Sequence, residues 1–217
     1  AVAVPVELKV RNFRLPRPGT LATAFGLYAS ALSRWWYGTQ PYRENLPIEV
    51  YARWSEFLGK YRLTPKNIAR DYITQRQDDD GLHVDLSNLQ RTVEPLAGKY
   101  FAPYSFCVHR LPTRDHIGKA ATATDPEAAA QVVEAYVDEW DKQGLPPEVY
   151  IYGYDEPRPE HYPFMREAYR RIKEVAPDYP IMQTISDRNP QDLVGLVDIW
   201  CPLTPSLTAE VYRQRVD

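Results

Sequence analysis

The chain has 217 residues and 25.1 kDa, with 44% hydrophobic and 25% charged residues, the composition of one large or two small globular domains. A net charge of -3, from 26 basic and 29 acidic side chains, excludes a global positive field that would draw the protein to nucleic acid or anionic lipid. Proline, at 20 residues, is well above the usual ~5% and implies many short, stiff loops, while 16 tyrosines and 5 tryptophans either fill a core or form flat apolar binding surfaces.

The alternation Val4-Pro5-Val6-Glu7-Leu8-Lys9-Val10 predicts a strand, and the start lacks the basic and long apolar regions of a signal peptide. Residues 1–18 therefore read as a linker or the tail of a preceding domain, and no apolar run reaches the roughly 18 residues that span a bilayer. After the turn at Pro18-Gly19, Thr23 to Tyr28 reads as a short buried strand. Pro47 opens a helix whose Ile48, Tyr51, Trp54, Phe57, Leu58 and Tyr61 recur at three- and four-residue spacing. A second strand is expected over 67–73, then a polar stretch over 75–81 and a helix over 86–96. Tyr104 to His109 is the third strand.

Thr124-Asp125-Pro126-Glu127 is a strong helix start, and the helix should run to Trp140 and stop at Gly144. Val149 to Tyr154 is the fourth strand, Pro163 to Val175 a further helix and Pro180 to Ile185 the fifth strand. A short helical turn at Asp192 and a sixth strand from Val197 to Pro202 complete the order. Apolar strands alternating with helices pair in parallel and are covered by those helices. No G-x-G-x-x-G or Walker loop favours a doubly wound sheet. The expectation is an α/β chain of (β/α)8 TIM-barrel type over residues 19–217, incomplete, with strands seven and eight outside this chain. Cys107 and Cys201 lie in strand-like stretches, as buried free thiols or one buried disulfide.

The segment Tyr150-Ile151-Tyr152-Gly153-Tyr154-Asp155-Glu156-Pro157 carries the chemistry. In a barrel, groups at the carboxyl ends of strands face the active site. Two acids leaving a buried strand are costly unless something uses them, and Pro157 biases Glu156 toward extended backbone. Such a pair suits general acid chemistry on a glycosidic oxygen. The competing reading is a pair of solvated loop acids.

The stretch VYIYGYDEPRPEHYPFMREAYRRIKEVAPDYPIMQTI resembles the catalytic region of glycoside hydrolase family 123 and the related domain-of-unknown-function family 4091. The opening, Val10 to Pro16 and a Thr-rich lead, is similar to that family's passage from an N-terminal β-sandwich into its barrel. The resemblance implies a retaining β-N-acetylhexosaminidase, acting on β-linked N-acetylgalactosamine, in which the substrate's own 2-acetamido oxygen attacks the anomeric carbon. It implies Glu156 as general acid and base, and Asp155 as the group that holds the acetamido N–H. It also implies a carbohydrate substrate, a further domain or the remaining strands in the full-length protein, and an extracellular or periplasmic setting.

Further substrate-binding candidates at strand ends are Trp200, Tyr154, Tyr72 and His109, with Arg110 beside the last. Trp200 is equally a core tryptophan, and for His109 a satisfied structural histidine is the stronger reading. Tyr28 and Asp187-Arg188 also lie at strand ends, the latter reading as a local ion pair in a loop, and the aromatic run Trp35-Trp36-Tyr37 either lines the cleft or packs under a missing domain. Asp78-Asp79-Asp80-Gly81 lacks the spaced ligands of a calcium loop and reads as a solvated turn. His83, His109, His116 and His161 show no metal-site spacing, so neither a metal nor a cofactor is expected. Two alternatives stay open: a two-carboxylate retaining glycosidase with its nucleophile outside this chain, and a non-catalytic carbohydrate-binding barrel module.

Overall fold

A computed structural model describes residues 3–38, 46–66, 72–112, 125–185 and 191–203. The elements in order are α1 (Ala29–Tyr37), α2 (Ile48–Lys60), β1 (Thr74–Asp78), β2 (Gly81–Asp85), α3 (Ser87–Val93), β3 (Cys107–Arg110), α4 (Pro126–Lys142), β4 (Tyr150–Tyr152), α5 (Tyr162–Val175), β5 (Ile181–Ile185) and β6 (Ile199–Pro202). Short 3-10 turns lie at Pro159–His161 and Gln191–Leu193. No helix among the described residues is long and apolar enough to cross a membrane.

Strands β3 to β6 form a four-stranded parallel sheet in chain order. Helices α4 and α5 pack together and cover one face. Their Val133, Tyr136, Trp140, Met165, Tyr169 and Ile172 join Val108, Ile151, Ile181 and Ile185 in the main core. The opposite face carries a smaller cluster of Tyr150, Tyr152 and Met182 with Cys107 and Ile199 against it. The long helix starts where expected, since the Asp125 carboxylate accepts the Glu127 N–H at 3.0 Å and Pro126 fills the first turn. It ends at Gly144, whose φ of +63° favours glycine.

Thr23 to Tyr28 is not a strand. It contributes one parallel bridge, Phe25 to Pro65, and Phe25 is 46% exposed. Its backbone contacts nevertheless continue the sheet. The Phe25 N–H donates to the Thr64 carbonyl and the Lys66 N–H to the Phe25 carbonyl, both at 2.8 Å, while the Cys107 N–H donates to the Lys66 carbonyl at 3.0 Å. The spatial sequence is thus Phe25, Pro65–Lys66, β3, β4, β5, β6, and no barrel closes among the described residues. Of the strand expected over 67–73, residues 67–71 lie outside the described residues, and Tyr72 and Ile73 belong to no strand.

The polar stretch after Thr74 belongs to an antiparallel hairpin, β1 with β2. Its signal was hidden because β1 is almost wholly exposed, so no apolar alternation marks it. Asp78 accepts from Arg76 on its own strand and from His83 across the tight turn at 79–80, both at 2.8 Å. Val4 to Val10 forms no strand either. Val4, Val6, Leu8 and Val10 are each more than three-quarters exposed, because a strand needs a paired edge and none of the described residues supplies one.

Candidate active site

Asp155 and Glu156 leave the carboxyl end of β4, on the edge where a parallel α/β sheet presents its ligands. Asp155 is half-buried and held from three sides. Its Oδ2 accepts from Arg110 Nη2 at 2.7 Å, and its Oδ1 from the Tyr152 hydroxyl at 2.9 Å and the Thr184 hydroxyl at 3.1 Å. The Tyr152 hydroxyl is pushed well above its ordinary pKa, by burial and then by its bond to Asp155, so it stays a proton donor. Both the Arg110 guanidinium, at 5.0 Å, and the Lys66 ammonium, at 4.7 Å, lie against the Tyr152 ring.

Glu156 is exposed and departs from the extended backbone that Pro157 favours. Its φ is +47°, the left-handed region, which costs a side-chain-bearing residue about 1–2 kcal/mol. Its N–H donates to Thr184 Oγ1 at 3.1 Å, so the same hydroxyl holds both acids. Unusual backbone held by its surroundings clusters at functional sites. Beneath the turn, Tyr169 Oη accepts the Tyr154 N–H at 3.1 Å and donates to Gln183 Oε1, while Gln183 Nε2 donates to the Tyr154 carbonyl at 2.6 Å.

Four expected binding residues are not brought to this site. Tyr154 is fully buried on the helix side, against Phe164 and Tyr169. Tyr72 packs edge-on against Tyr51 and donates its hydroxyl to the Leu46 carbonyl at 2.5 Å. His109 lies against Tyr136 of α4, ring centroids 4.3 Å apart. The cause is a β-bulge: Cys107 pairs with Tyr150 but His109 with Ile151, so Val108 is the extra residue. The bulge inverts the alternation, sends His109 to the helix face and turns Arg110 onto the face of Tyr152. Trp200 sits one residue out of phase with Ile199 and packs against the helix-side core.

Among the other candidates, Trp35 is 79% exposed, with the Arg34 guanidinium over its ring, and Tyr28 is partly exposed. The Trp36 and Tyr37 side chains, Asp187-Arg188 and His116 lie outside the described residues. His161 Nδ1 accepts the Arg158 N–H. Both cysteines are free; Cys107 is half-buried and donates to the Lys66 carbonyl at 3.1 Å, but Cys201 is exposed at the outer strand instead of buried. No group of three His, Cys, Asp or Glu among the described residues could hold a metal ion.

Thr184 and Tyr152 are the site residues the sequence reading passed over. Both are polar groups at the carboxyl ends of adjacent strands, in phase with one another, and that was the available signal. Lys66 had none, because its place follows from a single bridge. No family model matches this chain, and no curated protein matches it.

Proposed function

We propose that the chain carries the catalytic centre of a glycoside hydrolase of the family 123 type, acting on β-linked 2-acetamido sugars, and that its parallel sheet is an arc of a (β/α)8 barrel. The pinning of Asp155 by Arg110, Tyr152 and Thr184 beside an exposed Glu156 is the observation that carries this reading. The chain-order contacts from Phe25 through β6 support the barrel arc.

An ionised carboxylate offers about four acceptor positions. Three donors occupy Asp155, which leaves one at Oδ2 for the acetamido N–H of a bound sugar. Arg110 already offsets part of its charge, so Asp155 mainly supplies position. The substrate's acetamido oxygen attacks the anomeric carbon as the glycosidic C–O bond breaks, and Glu156 gives its proton to the leaving oxygen. The resulting oxazolinium is opened by a water whose proton returns to Glu156, with net retention. Because the nucleophile is tethered to the reacting carbon, proximity supplies much of the rate.

Glu156→Gln in the full-length protein should cut turnover of sugars with poor leaving groups by about a hundredfold or more, while activated aryl glycosides keep most of theirs. Equal loss on both would remove Glu156 as the acid. A thiazoline mimic of the oxazoline should inhibit tightly. Hydrolysis without thiazoline inhibition would favour the two-carboxylate mechanism, and sugar binding with no hydrolysis would favour a binding module.

A further inference from the structure

We propose that this site selects sugars carrying an anionic substituent, a sulfate ester or a carboxylate next to the bond that is cleaved, through Lys66 with Arg110 behind it. The proposal rests on the glycosidase reading above and names the class of substrate it takes.

Lys66 is rooted rigidly for a lysine. Its N–H donates to the Phe25 carbonyl, and its own carbonyl accepts both the Cys107 N–H and the Cys107 thiol. From that root its ammonium reaches 4.7 Å from the centre of the Tyr152 ring, and the hydroxyl of that ring is bonded to Asp155. Elsewhere Lys60, Lys142 and Lys173 each meet a carboxylate: Glu56, Glu139 and Asp198. Lys66 meets no carboxylate among the described residues. Arg110, whose side chain is only 15% exposed, spends one terminal nitrogen on Asp155. Its Nε is buried with no hydrogen-bond partner among the described residues.

Two cations therefore lie against the Tyr152 ring, and one of them, Arg110, is bonded to the pinned Asp155. A neutral sugar makes no use of the Lys66 charge at the ring face. A sulfate or carboxylate oxygen does, and a hydrogen bond between charged groups contributes roughly 1.5–3 kcal/mol, or at least about tenfold in affinity.

The test compares kcat/KM of the full-length protein on 4-nitrophenyl N-acetyl-β-galactosaminide against its 6-O-sulfate, and on a disaccharide pairing N-acetylgalactosamine with glucose against its glucuronate counterpart. One or both anionic substrates should exceed the neutral substrate with the same leaving group by about tenfold at low salt, an advantage that shrinks as salt rises. The sulfate and uronate arms separate the two sources of charge. Lys66→Met should lower the anionic-to-neutral ratio by about tenfold, whereas Lys99→Met, at a surface lysine over Tyr100, should leave it unchanged. A wild-type ratio near one, or a ratio untouched by Lys66→Met, overturns the proposal while leaving the glycosidase reading intact.

If no substrate turns over, the glycosidase reading fails, and calorimetry with N-acetylgalactosamine and its 6-sulfate still decides the anion site. Tighter binding of the sulfate that is lost in Lys66→Met supports it. Equal affinity refutes it.

Discussion

At Gly153 an added Cβ would meet the Tyr169 hydroxyl and the Gln183 amide oxygen, and would lie 2.9 Å from the Met182 carbonyl. Two of these atoms belong to the buried network that carries the Tyr154 backbone, and the third is the acceptor of the Gly153 N–H at 2.7 Å. None of them can retreat without breaking a bond that holds the turn into Asp155. Gly153→Ala should therefore destabilise the protein by about 1–3 kcal/mol, lowering Tm by several degrees for a chain of this size. A thermal scan checks it, and an unchanged Tm would show that the turn has slack. The same crowding explains why a glycine follows the aromatic strand, two residues before Asp155.

At the level of elements, the β3 bulge and the α4 start have opposite legibility. Helix α4 is announced by Asp125-Pro126-Glu127, and the cap bond at 3.0 Å is local in sequence. Asp125→Ala should cost about 1 kcal/mol, read as a lower urea midpoint with the m-value unchanged. Retention of full stability would mean that packing of α4 against α5 alone sets the helix start. The opposite end is tied by Trp140 Nε1, which donates to the Pro146 carbonyl at 2.8 Å and leads the chain into β4. The bulge has no such local mark. It exists because β3 must match both Tyr150 and Tyr152 while Val108 and His109 fill space under α4.

Across the whole molecule, burial is strongly uneven. Strands β4 and β5 lie between the two clusters, and the Ile151 and Gly153 amides donate to the Pro180 and Met182 carbonyls at 2.9 and 2.7 Å. Residues 3–10 are exposed throughout and belong to no helix or strand. Hydrogen exchange should show these amides exchanging at close to the unprotected rate, with Ile151 and Gly153 slowed by about a thousandfold or more. Comparable protection of residues 3–10 would mean that this segment pairs with an edge in solution.

Local periodicity and capping were enough for α2, α4, α5 and the last four strands, because apolar spacing and start signals act within a few residues. The placing of Asp155 and Glu156 at a strand's carboxyl end was legible for the same reason. The sequence by itself overstated Thr23 to Tyr28 and Val4 to Val10, where apolar residues lack a buried face to meet, and it passed over the exposed hairpin. Only the tertiary structure decided which side chains surround the acids. A one-residue bulge exchanged His109 for Arg110, and phase along β6 put Trp200 on the helix side. Thr184 and Lys66 arrived from strands and bridges 28 or more residues away from their partners, Glu156 and Cys107. Such contacts are set by register between strands, and register is a property of the paired sheet rather than of any one segment.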